Sequence, residues 1–335
     1  MSAVVESKPS KGGGVSKRPL TPWKAPKQSN VKPRKVNGIG SLNGNWAYLF
    51  TAPFFVMFLI FGLAPIIYST YIAFFNWDPL AMGDQQFNGL ENFQNLLTDS
   101  RFWIALGNTL DIWAMSTFPQ MVISIGLAAI LRSKFLKGAT FWRTILLVPN
   151  ITSVIAIAIV FGQLFGRDFG MVNMVLGWFG IPHVDFIEGT TSSHIAIATM
   201  ITWRWAGYNA LIFLASMLAI PDELYESAQL DGASAWQQFI YVTLPQLKNT
   251  ITFVLIVGTI GGLQVFAEPL TLGGSMDGGS SRQFSTLTLF LYEQAFVNNK
   301  WGYAAAVGIL ITVIVLIVSL INFFITRRLA GEDTK

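Results

Sequence analysis

Six long apolar runs separated by polar connectors set the organisation of this chain. They cover residues 46–75, 102–131, 141–165, 194–220, 251–270 and 303–326. An α-helix needs about 20 apolar residues to cross the hydrocarbon core of a bilayer, so each run predicts a membrane-spanning helix. Prolines at 53, 65, 119 and 149 interrupt them, which membrane helices tolerate where neighbours satisfy the freed carbonyls. A polar connector, 221–247, lies between the fourth and fifth runs. Pro221 and Asp222 suit the first turn of a helix, and Gly232 suits its end. A second short helix follows, which Pro245 is expected to stop before the next apolar run. The connector therefore predicts a helix-turn-helix, and the whole predicts an all-α integral membrane protein with six transmembrane helices.

Composition agrees with the pattern. Hydrophobic residues make up 52% of the chain and charged residues 12%, against about 25% charged in a soluble domain. The absence of cysteine excludes disulfides and thiolate metal sites. His183 and His194 are too few, and too far from any acidic cluster, to suggest a metal centre. Nine of the 22 Lys and Arg fall in residues 1–45, a stretch without apolar periodicity that predicts a disordered basic cytoplasmic tail. It carries no apolar core of the kind a signal peptide has; contact with anionic lipid headgroups is an alternative role. With the N-terminus inside, 17 Lys and Arg face the cytoplasm and four face out. That bias predicts N-in, C-in topology. It puts the 221–247 connector inside, bounds a membrane domain at 46–328, and leaves 329–335 as a cytoplasmic tail.

The connector carries a recognisable spacing. Glu226, Ala228, Gly232, Leu244 and Pro245 fall in register with the EAA loop of importer permeases in the ATP-binding-cassette (ABC) family, with Ser227 in place of Ala and Val242 in place of Ile. The external segments fit as well. Gly89, Leu90, Glu91, Asn92 and Phe93, then Asp99, Phe102, Trp103, Asn108 and Thr109, resemble the first external loop of the sugar-importing permeases. The stretch 170–177 resembles their second, and Leu270, Thr271, Gly273 and Gly274 the start of their third. The resemblance covers about 46–328 and points to the larger, maltose-type permease subunit with a type I ABC importer fold. It implies several partners: a second permease subunit, two ATP-binding-cassette ATPases and an extracytoplasmic solute-binding protein. It also implies a carbohydrate substrate and a multi-pass place in a bacterial cell membrane among lipids, with no nucleic acid. Glu226, Ser227, Ala228, Asp231, Gly232, Ala233, Leu244 and Pro245 would then couple the permease to the ATPases.

No nucleophile–base arrangement, metal cluster or phosphate loop is present. The chain predicts no cofactor and no enzymatic activity of its own; ATP and Mg would belong to the partner ATPase. Polar groups at membrane depth are functional candidates. Arg204 lies deep in the fourth run, where Asp111 or Glu268 can pair with it, or a substrate can contact it. Trp203, Trp205 and Tyr208 surround it, and aromatic faces suit the apolar faces of sugar rings as well as plain packing. In the resembling maltose-type permease the sugar site lies on the fourth and fifth helices. The matching positions include Trp203, Arg204, Trp205, Tyr208, Gly258, Gly261, Gly262 and Val265. Gln264, Glu268 and Asp111 complete a candidate substrate path. The three glycines fit either close helix packing or a lined cavity.

The sequence therefore reads as a permease subunit importing a di- or oligosaccharide. A permease of the same family for glycerol phosphate esters or polyols is the alternative. An ion-coupled secondary transporter would predict an internal repeat, and the six runs show none.

Overall fold

The computed structural model describes residues 45–79, 85–133 and 136–329. The basic tail, Lys134 and residues 330–335 of the expected C-terminal tail lie outside the described residues. The chain divides into two units, 1–57 and 58–335.

The described part of the first unit is helical: α1 (Asn45–Phe58) carries Pro53 within it. In the second unit a π-helical turn, Leu59–Leu63, leads into α2 (Ala64–Ile72). Two residues of β1 (Phe75–Asn76) pair antiparallel with β2 (Gln86–Phe87). Then come α3 (Glu91–Thr98) and α4 (Ser100–Arg132). They are followed by α5 (Ala139–Ile151), α6 (Val154–Leu164), α7 (Met171–Trp178) and α8 (Thr190–Leu218). The polar connector holds α9 (Asp222–Leu230), α10 (Ala235–Gln238) and α11 (Leu244–Gln246). The chain ends through α12 (Lys248–Leu263), α13 (Ala267–Gly273), α14 (Leu287–Tyr292) and α15 (Trp301–Leu329).

Among the described residues, three stretches are long and apolar enough to cross a membrane: Tyr48–Ile72, Ser100–Arg132 and Trp301–Thr326. Two bent pairs raise that to five. The third predicted run is not one helix: α5 and α6 meet at 92°, because Thr152 and Ser153 are extended. The fourth run is one helix of 29 residues, less uniformly apolar because His194, Arg204 and Asn209 interrupt it. The fifth run breaks at residues 264–266, and α13 starts beyond. Pro269 explains the break. A proline ring clashes with the carbonyl four residues back, here that of Val265, which instead accepts from Thr286 Oγ1 at 2.8 Å.

Helices α4 and α8 pack along one another through small and hydroxylated residues, as membrane helices do without a hydrophobic driving force. Ser124 Oγ donates to the Ala206 carbonyl at 2.9 Å, and Thr202 Oγ1 to that of Ser116 at 3.2 Å. Across α12 and α15, Asn322 Nδ2 donates to Thr259 Oγ1 at 2.8 Å, both residues buried.

At Gly207 the backbone of α5 comes so close to α8 that a Cβ would lie 2.0 Å from the Leu146 carbonyl oxygen. The obstacle is backbone, which cannot swing aside. Gly207→Ala is expected to cost about 1–3 kcal/mol, as overpacking typically does, and to lower melting temperature and membrane yield. Gly258→Ala, whose Cβ would meet no atom within 4 Å, is the control. Equal melting temperatures for the two variants would overturn this account of α5.

Candidate functional site

One face of α8 builds the wall of a cavity. Ile201, Arg204, Trp205, Tyr208, Asn209 and Ile212 line it, spaced three and four apart, the repeat of one helical face. The opposite wall is α12 and the break beyond it, with Gly258, Gly261, Gly262, Gln264, Val265 and Glu268. Helix α4 closes a third side with Ser116, Thr117 and Gln120. The cavity measures about 570 Å³.

Arg204 Nη1 donates to Glu268 Oε1 at 3.0 Å, and its guanidinium lies 5.6 Å from the centroid of the Trp205 ring. The side chains are 19% and 8% exposed. Glu268 sits in the first turn of α13, where the helix dipole favours a carboxylate. The pair leaves Arg204 Nε buried without a partner among the described residues. Trp205 and Tyr208 meet edge to face at 5.9 Å. The cavity thus offers an apolar lining, four aromatic rings (Trp205, Tyr208, Phe253 and Phe266), amides and hydroxyls, and a cation neutralised in place.

Several expected residues lie elsewhere. Trp203 does not line the cavity: two residues from Trp205, it lies about 200° around the helix. It is 47% exposed and packs on Phe161 at 5.7 Å. Asp111 does not pair with Arg204; its side chain is 63% exposed and lies 3.7 Å from His194 Nδ1. The three glycines divide. A Cβ on Gly258 or Gly261 would meet open space, whereas one on Gly262 would lie 2.7 Å from the Trp113 ring. The α4 contributors and Asn209 went unremarked in the sequence, although Ser116, Thr117 and Gln120 stand out as polar residues inside an apolar run.

The connector folds as two short helices and a turn. Gly232 takes φ +79°, a conformation open to glycine. Its N–H donates to the Gln229 carbonyl at 3.0 Å, and Ala233 N–H to that of Ala228 at 2.9 Å, the paired bonds of a Schellman end. Ser234 and Gln237 form a capping box that starts α10. Pro245 does not stop the second helix. The chain runs through a π-helical turn, Phe239–Thr243, into α11, and the 65° bend falls at Leu247.

Glu226, Ser227 and Asp231 are exposed on this connector. The Glu226 side chain makes no hydrogen bond or ion pair among the described residues. Leu230 and Trp236 are 91% and 70% exposed, large apolar groups on the same connector. Tyr225, one residue earlier, faces the opposite task. Its hydroxyl bonds both Arg132, at the end of α4, and Thr243 Oγ1 at 2.8 Å. The Arg132 guanidinium stands 4.2 Å from the centroid of the Tyr225 ring, and 3.8 Å from Asp222. This link is not legible from sequence, where Arg132 is one more cytoplasmic charge at the end of an apolar run.

Residues 120–331 match the family of binding-protein-dependent transport system inner membrane components. The chain is 35% identical over 286 residues to the arabinooligosaccharides transport system permease protein AraP of Bacillus subtilis, covering 85% of this chain and 90% of that protein. It is 31% identical to the lactose transport system permease protein LacF of Rhizobium radiobacter, over 84% of this chain and 94% of that one. Its fold superposes on a chain of a bacterial alginate ABC transporter, solved with an alginate pentasaccharide-bound periplasmic protein, with a TM-score of 0.73. That match has 25% identity and covers 86% of this chain and 96% of the other.

Proposed function

Because the chain belongs to the family of binding-protein-dependent transport system inner membrane components, we propose that it conducts a neutral di- or oligosaccharide through the cavity between α4, α8 and α12. It is a non-catalytic, multi-pass permease subunit of an ABC uptake system in the cell membrane. In this reading six spans cross the bilayer with both termini inside, α8 being the one made polar by its cavity face. A second permease subunit completes the path, two ATPases bind ATP and Mg, and an external solute-binding protein delivers the sugar. Residues 1–45 form the cytoplasmic tail, 46–328 the permease domain, and 329–335 the second tail. The 221–247 connector docks on an ATPase through Glu226 and its neighbours, with the Gly232 turn fixing the angle between the two short helices.

The observation that carries the substrate class is the neutralised cavity. Arg204 is the one cation lining it among the described residues, and Glu268 already balances it. A phosphate ester would need a cation free to meet its charge, so the glycerol phosphate alternative is disfavoured. A neutral sugar fits rings, amides and hydroxyls that donate and accept. The substrates named for AraP and LacF, arabinooligosaccharides and lactose, belong to that class.

The test is uptake by the reconstituted complex of a series of neutral oligosaccharides and of a glycerophosphodiester. Trp205→Ala is expected to lower uptake efficiency about five- to 150-fold, the equivalent of ~1–3 kcal/mol for one aromatic stacking contact. Trp203→Ala, outside the cavity, is expected to stay near wild type. Gly261→Phe fills open space and is expected to abolish uptake at unchanged membrane yield. Uptake of the anionic ester and of no neutral oligosaccharide would overturn the assignment.

A further inference from the structure

A second cavity, of about 400 Å³, lies on other elements. It is enclosed by β1, α3, the start of α4 and the stretch 294–303, all placed on the outer side by the charge bias of the loops. Its lining is polar where the membrane cavity is apolar. Asn76, Asn88, Asn92, Asn95 and Gln294 bring five carboxamides to it, and Trp77 brings an aromatic ring.

Two of these groups are buried without a partner among the described residues. Gln294 is fully buried. Its Oε1 accepts from Asn298 Nδ2 at 3.3 Å, but its Nε2 has no acceptor. Asn88 Oδ1 is likewise buried without a donor. Buried polar groups are nearly always paired, so a donor and an acceptor left over on residues that line one cavity point to a ligand that supplies both. Asn92 spends its amide hydrogens on the Ala73 and Phe75 carbonyls, at 2.8 and 3.0 Å. That contact pins β1 to α3 and leaves Asn92 Oδ1 as a further acceptor.

The charges of the cavity cancel. Asp99 accepts from Arg101 Nη2 at 2.7 Å and from the Tyr303 hydroxyl at 3.0 Å. Burial raises the Asp99 pKa, but the hydrogen bonds from Arg101 and Tyr303 outweigh it and hold the carboxyl below its ordinary value. Asp99 and Arg101 are therefore both ionised and paired. Glu91 and Lys300, one of each sign, are exposed at the rim. An anion finds no free buried cation here. A sugar hydroxyl both donates and accepts, as does a carboxamide, and the Trp77 ring, held edge-on against Tyr68 at 5.9 Å, can cover the apolar face of one sugar ring.

We propose that this outer cavity binds one neutral, polyhydroxylated sugar unit, as a second carbohydrate site separate from the membrane cavity. It rests on the reading of the chain as a carbohydrate permease. Occupancy ties the first external segment to the start of α15, two parts of the chain some two hundred residues apart.

The experiment is thermal unfolding of the assembled complex in nanodiscs, without binding protein, titrated with glucose, L-arabinose, maltose and glycerol 3-phosphate. Wild type and Gly261→Phe, whose membrane cavity is filled, are expected to be stabilised by at least one neutral sugar and not by the phosphate. Gln294→Leu removes the unpartnered donor. It is expected to melt at the wild-type temperature or above when free, because an unpaired buried amide is exchanged for an apolar group. Its apparent Kd for the sugar is expected to rise about tenfold, the loss of one hydrogen bond. A plainly structural Gln294 would instead lower the unliganded melting temperature. The proposal falls if no neutral sugar stabilises wild type, if stabilisation is lost in Gly261→Phe and kept in Gln294→Leu, or if the phosphate stabilises equally. Uptake of neutral oligosaccharides measured in parallel separates this failure from that of the transport reading, which falls only when uptake itself is absent.

Discussion

Glu268→Ala is expected to remove most of the assembled complex from the membrane. The Arg204–Glu268 pair is buried at 3.0 Å, with both side chains under one fifth exposed. Its net worth against an apolar pair is small, because desolvating two charges offsets their attraction. Removing one partner is another matter: it strands a charge in a poor dielectric and costs about 3–5 kcal/mol. Total stabilities of about 5–15 kcal/mol make that a large fraction. Glu268→Gln keeps a hydrogen-bond acceptor and should fall between. Replacing both partners, Arg204→Met with Glu268→Leu, is expected to recover yield and melting temperature. If the pair also touches the sugar, uptake stays lost in that double variant. Yield, melting temperature and uptake measured on all three separate the structural from the transport role. Wild-type yield and melting in Glu268→Ala would show that the pair contributes nothing to the fold.

The partner of Arg204 shows where sequence reasoning stops. The helical repeat puts Arg204, Trp205 and Tyr208 on one face of α8, and that much is legible from spacing. The same repeat places Trp203 on the far side of α8 from Trp205, so adjacency to Arg204 in sequence does not bring it to the cavity. Which carboxylate reaches Arg204 is not a local question. Glu268 arrives because the chain breaks at residues 264–266, and the break depends on Pro269 and on Thr286 taking up the Val265 carbonyl. Asp111 lies at a similar depth by counting, yet its rotation about α4 brings it to His194. The glycines teach the same lesson. Gly258, Gly261 and Gly262 look alike in sequence, but only Gly262 meets an aromatic ring from another helix.

The connector was more legible, because its structure is set by neighbours along the chain. A glycine at φ +79° and bonds from Gly232 and Ala233 back to α9 are local geometry. The position of Pro245 was misjudged for a related reason. A π-helical turn, Phe239–Thr243, carries the helix on from α10 to Pro245, and the chain bends only two residues later, at Leu247. The outer cavity could not be anticipated, since its walls come from opposite ends of the chain. The link from Arg132 to Tyr225 is likewise non-local, joining the last turn of α4 to the first short helix of the connector.

That link frames the second large effect. Tyr225 and Glu226 are adjacent, about 100° apart around α9; Tyr225 bonds Arg132 and Thr243, while Glu226 is exposed. We propose that Glu226 receives the ATPase and that Tyr225, through Arg132 and Thr243, passes its displacement to α4, a wall of the cavity. Glu226→Lys is expected to abolish uptake while the external binding protein still delivers sugar to the complex, since breaking one side of a desolvated charge pair costs about 2–5 kcal/mol. Tyr225→Phe tests the inner half. It keeps the ring under the Arg132 guanidinium but removes the hydroxyl that bonds Arg132 and Thr243. It is expected to leave ATPase binding intact, and to lower sugar uptake per ATP hydrolysed. Arg132→Ala, which removes the ring contact as well, should lower that ratio further. Uptake and ATP hydrolysis are measured together in proteoliposomes, with ATPase retention checked by co-purification. Loss of ATPase retention in Tyr225→Phe would move Tyr225 from transmission to docking. A wild-type transport ratio in both Tyr225→Phe and Arg132→Ala would remove this route from the mechanism. Wild-type uptake in Glu226→Lys would remove the carboxylate from the interface.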